Sequence, residues 1–114
     1  MKRLETIIPK NRLNLVISAI EDVGVGGITI IDSKGRGKGV RPSLRSSRGT
    51  SSRQAEYNNL VTIITIVDES QVDEVVDAVL DAANTGSNGD GKIFISTIDE
   101  TVDIQTRRKG SGSL

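Results

Sequence analysis

Cysteine and histidine are both absent from this chain of 114 residues. Their absence excludes disulfide bonds, thiolate nucleophiles, metal sites with Cys or His ligands, and acid–base catalysis by histidine. Aromatic residues are scarce, since Tyr57 and Phe94 are the only two. The chain therefore lacks platforms on which the bases of single-stranded nucleic acid could stack, and its core must be aliphatic. We assign no catalytic residue and no protein metal site, and nucleic acid is not an expected partner.

Long apolar runs are also absent. No run approaches the roughly 20 residues that cross a bilayer, and the first residues lack the apolar stretch and cleavage site of a signal peptide. We therefore expect a cytoplasmic protein without membrane insertion, and the lack of cysteine fits that location.

Charge is balanced in number but not in position. The 15 Lys and Arg residues equal the 15 Asp and Glu residues. However, positions 34–53 carry seven positive charges and no acid: Lys34, Arg36, Lys38, Arg41, Arg45, Arg48 and Arg53. Such a basic segment suits an acidic protein surface or an anionic ligand. The alternative is a disordered loop that its charge keeps solvated.

Hydrophobic periodicity predicts the order β-α-β, long loop, β-α-β. Predicted strands cover residues 4–8, 27–34, 60–67 and 92–97, with a short fifth at 101–106. Predicted helices cover 11–23, with Asn11 as N-cap and Gly24 at its end, and 70–83, with Asp68 or Ser70 as N-cap. This order is typical of the ferredoxin-like α+β sandwich, βαββαβ. Residues 35–58 are predicted to be a long mobile loop between the second and third strands, and 107–114 a flexible tail.

A glycine-lysine loop lies between the second predicted helix and the last predicted strand. Residues 85–92 read Thr-Gly-Ser-Asn-Gly-Asp-Gly-Lys. Three glycines let a backbone approach a ligand closely with several N–H groups directed at it, and Lys92 adds a positive charge. The loop is not a Walker A motif, because Ile93 follows the lysine and a strand follows the loop. The pattern indicates phosphate binding, with a glycine-rich helix-to-strand connection as the alternative.

Residues 85–94 resemble the B-loop of the PII nitrogen-regulatory signalling proteins. Residues 1–8, residues 23–30 and the Gly-Arg-Gly at 35–37 are similar to further parts of that family, in the same order and spacing. The resemblance covers about residues 1–37 and 59–106. The chain is thereby identified as a divergent member of the family, with residues 1–106 as its PII-like domain.

The resemblance implies a homotrimer that binds an adenine nucleotide as effector in the clefts between its subunits. The contacts that it implies come from Ile7, Gly27, Ile28 and Thr29 around the base, from Ile64, from Gly35, Gly37 and Lys38 near the phosphates, and from Gly89, Asp90, Gly91 and Lys92 in the B-loop. Residues 35–58 would be the T-loop, which in this family docks onto enzymes and transporters. Its arginines are the predicted partner contacts: Arg41, Arg45, Arg48 and Arg53.

The chain departs from the family pattern at two places that concern ligands. Gly39 stands where relatives that bind 2-oxoglutarate usually have Gln, so we expect that site to be weak or missing and leave open whether magnesium accompanies the nucleotide. Asp103 and Gln105 stand where the family usually brings Arg to the phosphates. An anion there repels phosphate, although Arg107 and Arg108 follow and can substitute from a shifted register. We therefore hypothesise a preference for ADP or AMP over ATP.

Three functions remain open from the sequence. The first is a PII-like regulator that binds an adenine nucleotide and acts on a protein target, an enzyme or a transporter, through its basic T-loop. The second is a degenerate PII-like interaction module that senses a small anion such as bicarbonate or has lost nucleotide binding. The third is a slow ATPase with Asp90 as base, which the lack of His and Cys disfavours.

Overall fold

The protein is described by a computed structural model that covers residues 1–37, 43–45, 52–54 and 57–114, with the backbone alone for 43–45 and 52–54. The strands are β1 (Lys2–Pro9), β2 (Thr29–Gly35), β3 (Ser43–Arg45), β4 (Ser52–Gln54), β5 (Asn58–Val67) and β6 (Lys92–Thr97). The helices are α1 (Leu13–Val23) and α2 (Val72–Ala83), and short 3₁₀ turns cover Lys10–Arg12, Glu69–Gln71 and Ser111–Ser113.

Four strands form one antiparallel sheet in the order β2-β5-β1-β6. Each βαβ half contributes one inner and one edge strand, and the two halves interlock, because β5 pairs with both β1 and β2. The predicted ferredoxin-like α+β fold is confirmed. In this arrangement β2 and β6 are the two edges of the sheet.

One face of the sheet and the two helices enclose an aliphatic core. Alternate residues of β1 and β5 point to the same side, and Leu4, Ile8, Val61, Ile63 and Val67 are buried there. They meet the apolar stripes of the two helices, whose buried members are Val16, Ile20, Val75, Val79 and Ala83. The core thus follows from period-2 strands and period-3.6 helices in the sequence.

The predicted N-caps of both helices are wrong. Neither helix start has a side-chain capping hydrogen bond, and the cap positions are Arg12 and Gln71 instead of Asn11, Asp68 or Ser70. A 3₁₀ turn precedes each helix, and its backbone carbonyl accepts from the first helical N–H, so a side-chain acceptor is not needed there. The predicted end of α1 is confirmed, because Gly24 is left-handed at φ +89°.

Two loop predictions also change. Within residues 35–58, β3 and β4 pair as a short two-stranded antiparallel sheet. The fifth strand predicted at 101–106 is absent, and an isolated bridge joins Val102 to Lys109 across a turn. The physical reason lies in Asp103, whose carboxylate accepts the Thr106 N–H at 2.8 Å and so bends the backbone into a turn. Flexibility of the tail stays a prediction.

No helix in the described part of the chain covers the second face of the sheet. This face carries apolar side chains from all four strands, and Phe94 and Ile31 are 52% and 46% exposed. An apolar sheet face of this kind favours association with another molecule. Separately, no helix among the described residues is long and apolar enough to cross a membrane.

Candidate nucleotide-binding site

The glycine-lysine loop lies where the sequence placed it, between α2 and β6. Asn84 ends α2 in an extended conformation, and Lys92 is the first residue of β6. Lys92 is exposed and pairs with Ile7 of β1 in the sheet register. Its ammonium group is therefore available at an edge of the sheet for an anionic ligand.

Two glycines of this loop are required by the backbone itself. Gly91 has φ +114°, and a Cβ on it would lie 2.0 Å from the Ile7 carbonyl oxygen. Gly86 has φ +82° with open space around it, whereas Gly89 has neither constraint. Sequence reasoning attributed all three glycines to close approach of a ligand. For Gly91, the close approach that the structure shows is to β1.

Asp90 directs its carboxylate back into the loop. Oδ2 accepts the Thr85 N–H at 2.6 Å and the Ser87 N–H at 3.2 Å, and Oδ1 accepts the Thr85 hydroxyl. The Thr85 hydroxyl, followed by the backbone donors, holds the pKa of Asp90 below its ordinary value. A carboxylate that is engaged and ionised in this way is poorly suited to act as a general base.

A second cluster of predicted residues lies at the start of β2. Gly27, Ile28, Thr29 and Ile64 line one groove of about 350 Å³. The Thr65 hydroxyl donates to the Gly27 carbonyl at 2.7 Å and fixes the backbone of this segment. Sequence reasoning missed Thr65, because β5 also contains Thr62 and nothing in the sequence distinguishes the two threonines. It also missed Leu114, which lines the same groove and lies against Gly26.

The two clusters occupy opposite edges of the sheet. Thr29 is on edge strand β2 and Lys92 is on edge strand β6, with β5 and β1 between them. Three strand spacings separate those edges, which corresponds to about 14 Å. Ile7 lies between them on the uncovered face and pairs with both Thr62 and Lys92. A single chain thus presents two separated half-sites.

Arg107 and Arg108 lie in the turn that follows β6. The Asp103 N–H donates to the Arg108 carbonyl at 2.9 Å, and the Arg107 N–H donates to the Asp103 carbonyl at 2.8 Å. Arg107 has a positive φ of 62°. Asp103 is therefore a turn-forming residue that holds the two arginines beside it, while Gln105 is exposed at the same turn.

The first residues of the predicted T-loop are described, and most of the remainder is not. Gly35 ends β2 close to the Leu60 side chain, and the Arg36 guanidinium lies 5.1 Å from the centre of the Tyr57 ring. Arg45 and Arg53 fall in β3 and β4. Three of the predicted contacts lie outside the described residues: Lys38, Arg41 and Arg48. Gly39 lies outside them as well.

Asp103 makes the turn sensitive to acid. The Thr106 N–H, followed by the Thr106 hydroxyl, lowers the pKa of Asp103 below its ordinary value of 3.8. Because the folded pKa is depressed, the stabilisation of the turn is present above the unfolded pKa and is lost as pH falls through the folded pKa. We expect an NMR titration to give a pKa below 3.8, and Thr106→Ala to raise it part of the way. An unchanged pKa in Thr106→Ala would contradict this assignment.

Comparisons with known proteins agree on one family. The model of the family "Nitrogen regulatory protein P-II" matches residues 1–108. The nitrogen regulatory protein P-II of Synechocystis sp. is 40% identical, with all of both chains covered. Those of Nostoc punctiforme and Azospirillum brasilense are 37% and 35% identical, with 97% and 100% of both chains covered.

The matched region contains both half-sites, the uncovered sheet face and most of the turn after β6. Proteins of this family are regulatory signal transducers in nitrogen regulation and not enzymes. The chain belongs to the nitrogen regulatory protein P-II family.

Proposed function

We propose that this protein is a homotrimeric P-II signal transducer that binds an adenine nucleotide in clefts between subunits and regulates a protein target through residues 35–58. One observation carries the proposal: the two half-sites lie on opposite edges of one sheet. A neighbouring copy that packs against the uncovered apolar face can bring the β6 edge of one subunit to the β2 edge of the next. The proposed place of action is the cytoplasm.

The two half-sites suit chemically different parts of the nucleotide. The groove at Gly27, Ile28, Thr29 and Ile64 is apolar enough to take the base. Lys92 supplies the fixed positive charge for the phosphates, and Arg107 and Arg108 add charge from the turn after β6. Asp103 keeps an anionic side chain in the same turn as those arginines, which supports a preference for ADP or AMP over ATP.

Regulation requires that the nucleotide binds one state of the T-loop better than another. Gly35 and Gly37 connect β2 to this loop, so a ligand at the β2 edge lies next to its base. The seven positive charges at 34–53 suit an acidic surface on the target, an enzyme or a transporter.

Nucleotide binding is tested by calorimetry with ADP, AMP and ATP, each with and without magnesium. We expect the wild type to bind, and Lys92→Ala to weaken ADP binding at least about tenfold, because a charge-assisted contact to phosphate contributes about 1.5 to 3 kcal/mol. Lys2→Ala is the matched control, since Lys2 lies at the far end of β1 and contacts Thr97. The proposal fails if the wild type binds none of the three nucleotides.

A second candidate function rests on Asp103, an acidic residue at a position where the family usually has Arg. In this candidate the chain keeps the P-II fold and the basic loop as an interaction module, and senses a small anion such as bicarbonate or no ligand. A ligand that binds the folded state must raise the melting temperature. A rise with bicarbonate and none with ADP would favour this candidate over the first.

A further inference from the structure

The carboxylate of Asp90 organises the glycine-lysine loop from within. Both of its oxygens accept hydrogen bonds from residues earlier in the same loop, two from backbone N–H groups and one from the Thr85 hydroxyl. The Asp90 N–H in turn donates to the Ser87 carbonyl at 3.2 Å. Residues 85–90 are thus closed into a ring of hydrogen bonds.

This ring fixes the orientation of the Asp90 carboxylate and the path of the chain that leads to Lys92. The lone pairs that Asp90 gives to Thr85 and Ser87 are engaged within the loop, so its carboxylate is fixed against those two residues. Lys92 follows two residues later, at the first position of β6, where it pairs with Ile7. Gly91, against the Ile7 carbonyl, fixes the chain between the ring and the lysine.

We propose that Asp90 is a positioning residue for the phosphates: by binding Thr85 and Ser87 it holds the loop in the shape that presents Lys92 to them. The proposal rests on the nucleotide-binding function proposed above. It assigns Asp90 an indirect role where the family resemblance implied a contact to the nucleotide. It also adds Thr85, through its hydroxyl, as a functional residue that sequence reasoning did not select.

The charge state supports this role. The Asp90 carboxylate is ionised and acceptor-only at neutral pH, and its hydrogen bonds lower its pKa further. An ionised acceptor forms stronger hydrogen bonds to N–H and O–H donors than a neutral amide oxygen does. The asparagine variant preserves the shape of the side chain but loses this strength.

The test is a double-mutant cycle on ADP affinity, measured by calorimetry on the full-length protein. Thr85→Val and Asp90→Asn should each weaken ADP binding about tenfold, because each removes the charge-assisted hydrogen bond between the two side chains. The double variant should be no weaker than the weaker single variant, since both changes remove the same interaction. Thr85→Ser should restore wild-type affinity.

Two outcomes would overturn the proposal while leaving nucleotide binding intact. If Asp90→Asn weakens ADP binding and Thr85→Val does not, Asp90 contacts the nucleotide directly. If both variants lower the melting temperature but bind ADP with wild-type affinity, the ring serves stability alone. Absence of ADP binding by the wild type would instead count against the proposed function.

Hydrogen exchange of the nucleotide-free protein gives a readout that does not depend on binding. The Thr85 and Ser87 amides donate to Asp90, so they should exchange faster in Asp90→Asn, at least about tenfold. The Gly24 amide, which donates to Glu21 at the end of α1, should be unchanged. Unchanged exchange at both loop amides would contradict the existence of the ring in solution.

Discussion

Replacing Gly91 by alanine is expected to lower the free energy of unfolding by about 3 to 4 kcal/mol. Two costs combine: an L-residue at φ +114° is strained by about 1 to 3 kcal/mol, and the new Cβ would lie 2.0 Å from the Ile7 carbonyl oxygen. Since β1 is an inner strand, the clash must be relieved by moving the start of β6. In a domain of 114 residues this corresponds to a fall in melting temperature of about 15 °C.

The neighbouring glycines provide graded controls for this effect. Gly86→Ala has the left-handed strain without a clash and should cost about 1 to 2 kcal/mol. Gly89→Ala has neither strain nor close contact, since the atom nearest to the new Cβ would be the Ser87 hydroxyl oxygen at 3.8 Å, and should be nearly neutral. All variants are compared by chemical denaturation at one protomer concentration, because association makes apparent stability concentration-dependent. Equal losses in Gly89→Ala and Gly91→Ala would refute the close packing on β1.

The second large effect concerns the uncovered sheet face. Phe94→Glu should convert the proposed trimer into monomers at micromolar concentration. Burial of a carboxylate in an interface costs several kcal/mol, so the concentration at half-assembly should rise at least about 100-fold. The new charge would also lie opposite Glu5, its cross-strand partner, and like charges in that position repel. Sedimentation velocity over a dilution series measures the change.

A matched substitution on the helical layer separates assembly from general loss of solubility. Leu15 on α1 is 55% exposed, close to the 52% of Phe94. Leu15→Glu should leave the proposed trimer intact. ADP affinity should fall together with assembly in Phe94→Glu alone, because the two half-sites belong to different edges of the sheet. A monomeric wild type, or a Phe94→Glu variant that remains assembled, would reject the uncovered face as the subunit interface.

Much of the fold is encoded in local patterns that can be read without a structure. The apolar stripe at 72–83 predicted α2, and the run of β-branched residues at 60–67 predicted β5. The predicted bounds of β6, 92–97, are those observed. The helix starts were not predictable in this way. Asn11 and Ser70 are favourable capping residues, but a 3₁₀ turn made by the backbone took that role, and backbone hydrogen bonds leave no residue-type signal.

The candidate site was only partly predictable for a related reason. The glycines and lysine at 85–92 carry a compositional signal and a family resemblance, so the loop itself was found. Thr65 and Thr85 carry no such signal. Their importance depends on which oxygen each hydroxyl reaches, Gly27 in one case and Asp90 in the other, and that is decided by residues distant in sequence or by the fold of the loop.

The glycine-lysine loop shows where the division between sequence and structure falls. The sequence by itself determined that residues 85–92 connect a helix to a strand, that the connection is rich in glycine, and that the chain belongs with the P-II proteins. Only the tertiary structure decided why Gly91 is glycine, which way the Asp90 charge points, and that Lys92 and Thr29 lie on opposite edges of one sheet. Local patterns depend on neighbours within a few residues, whereas strand order depends on pairings between β1, β5 and β6 that are up to 95 residues apart and form only when the core closes.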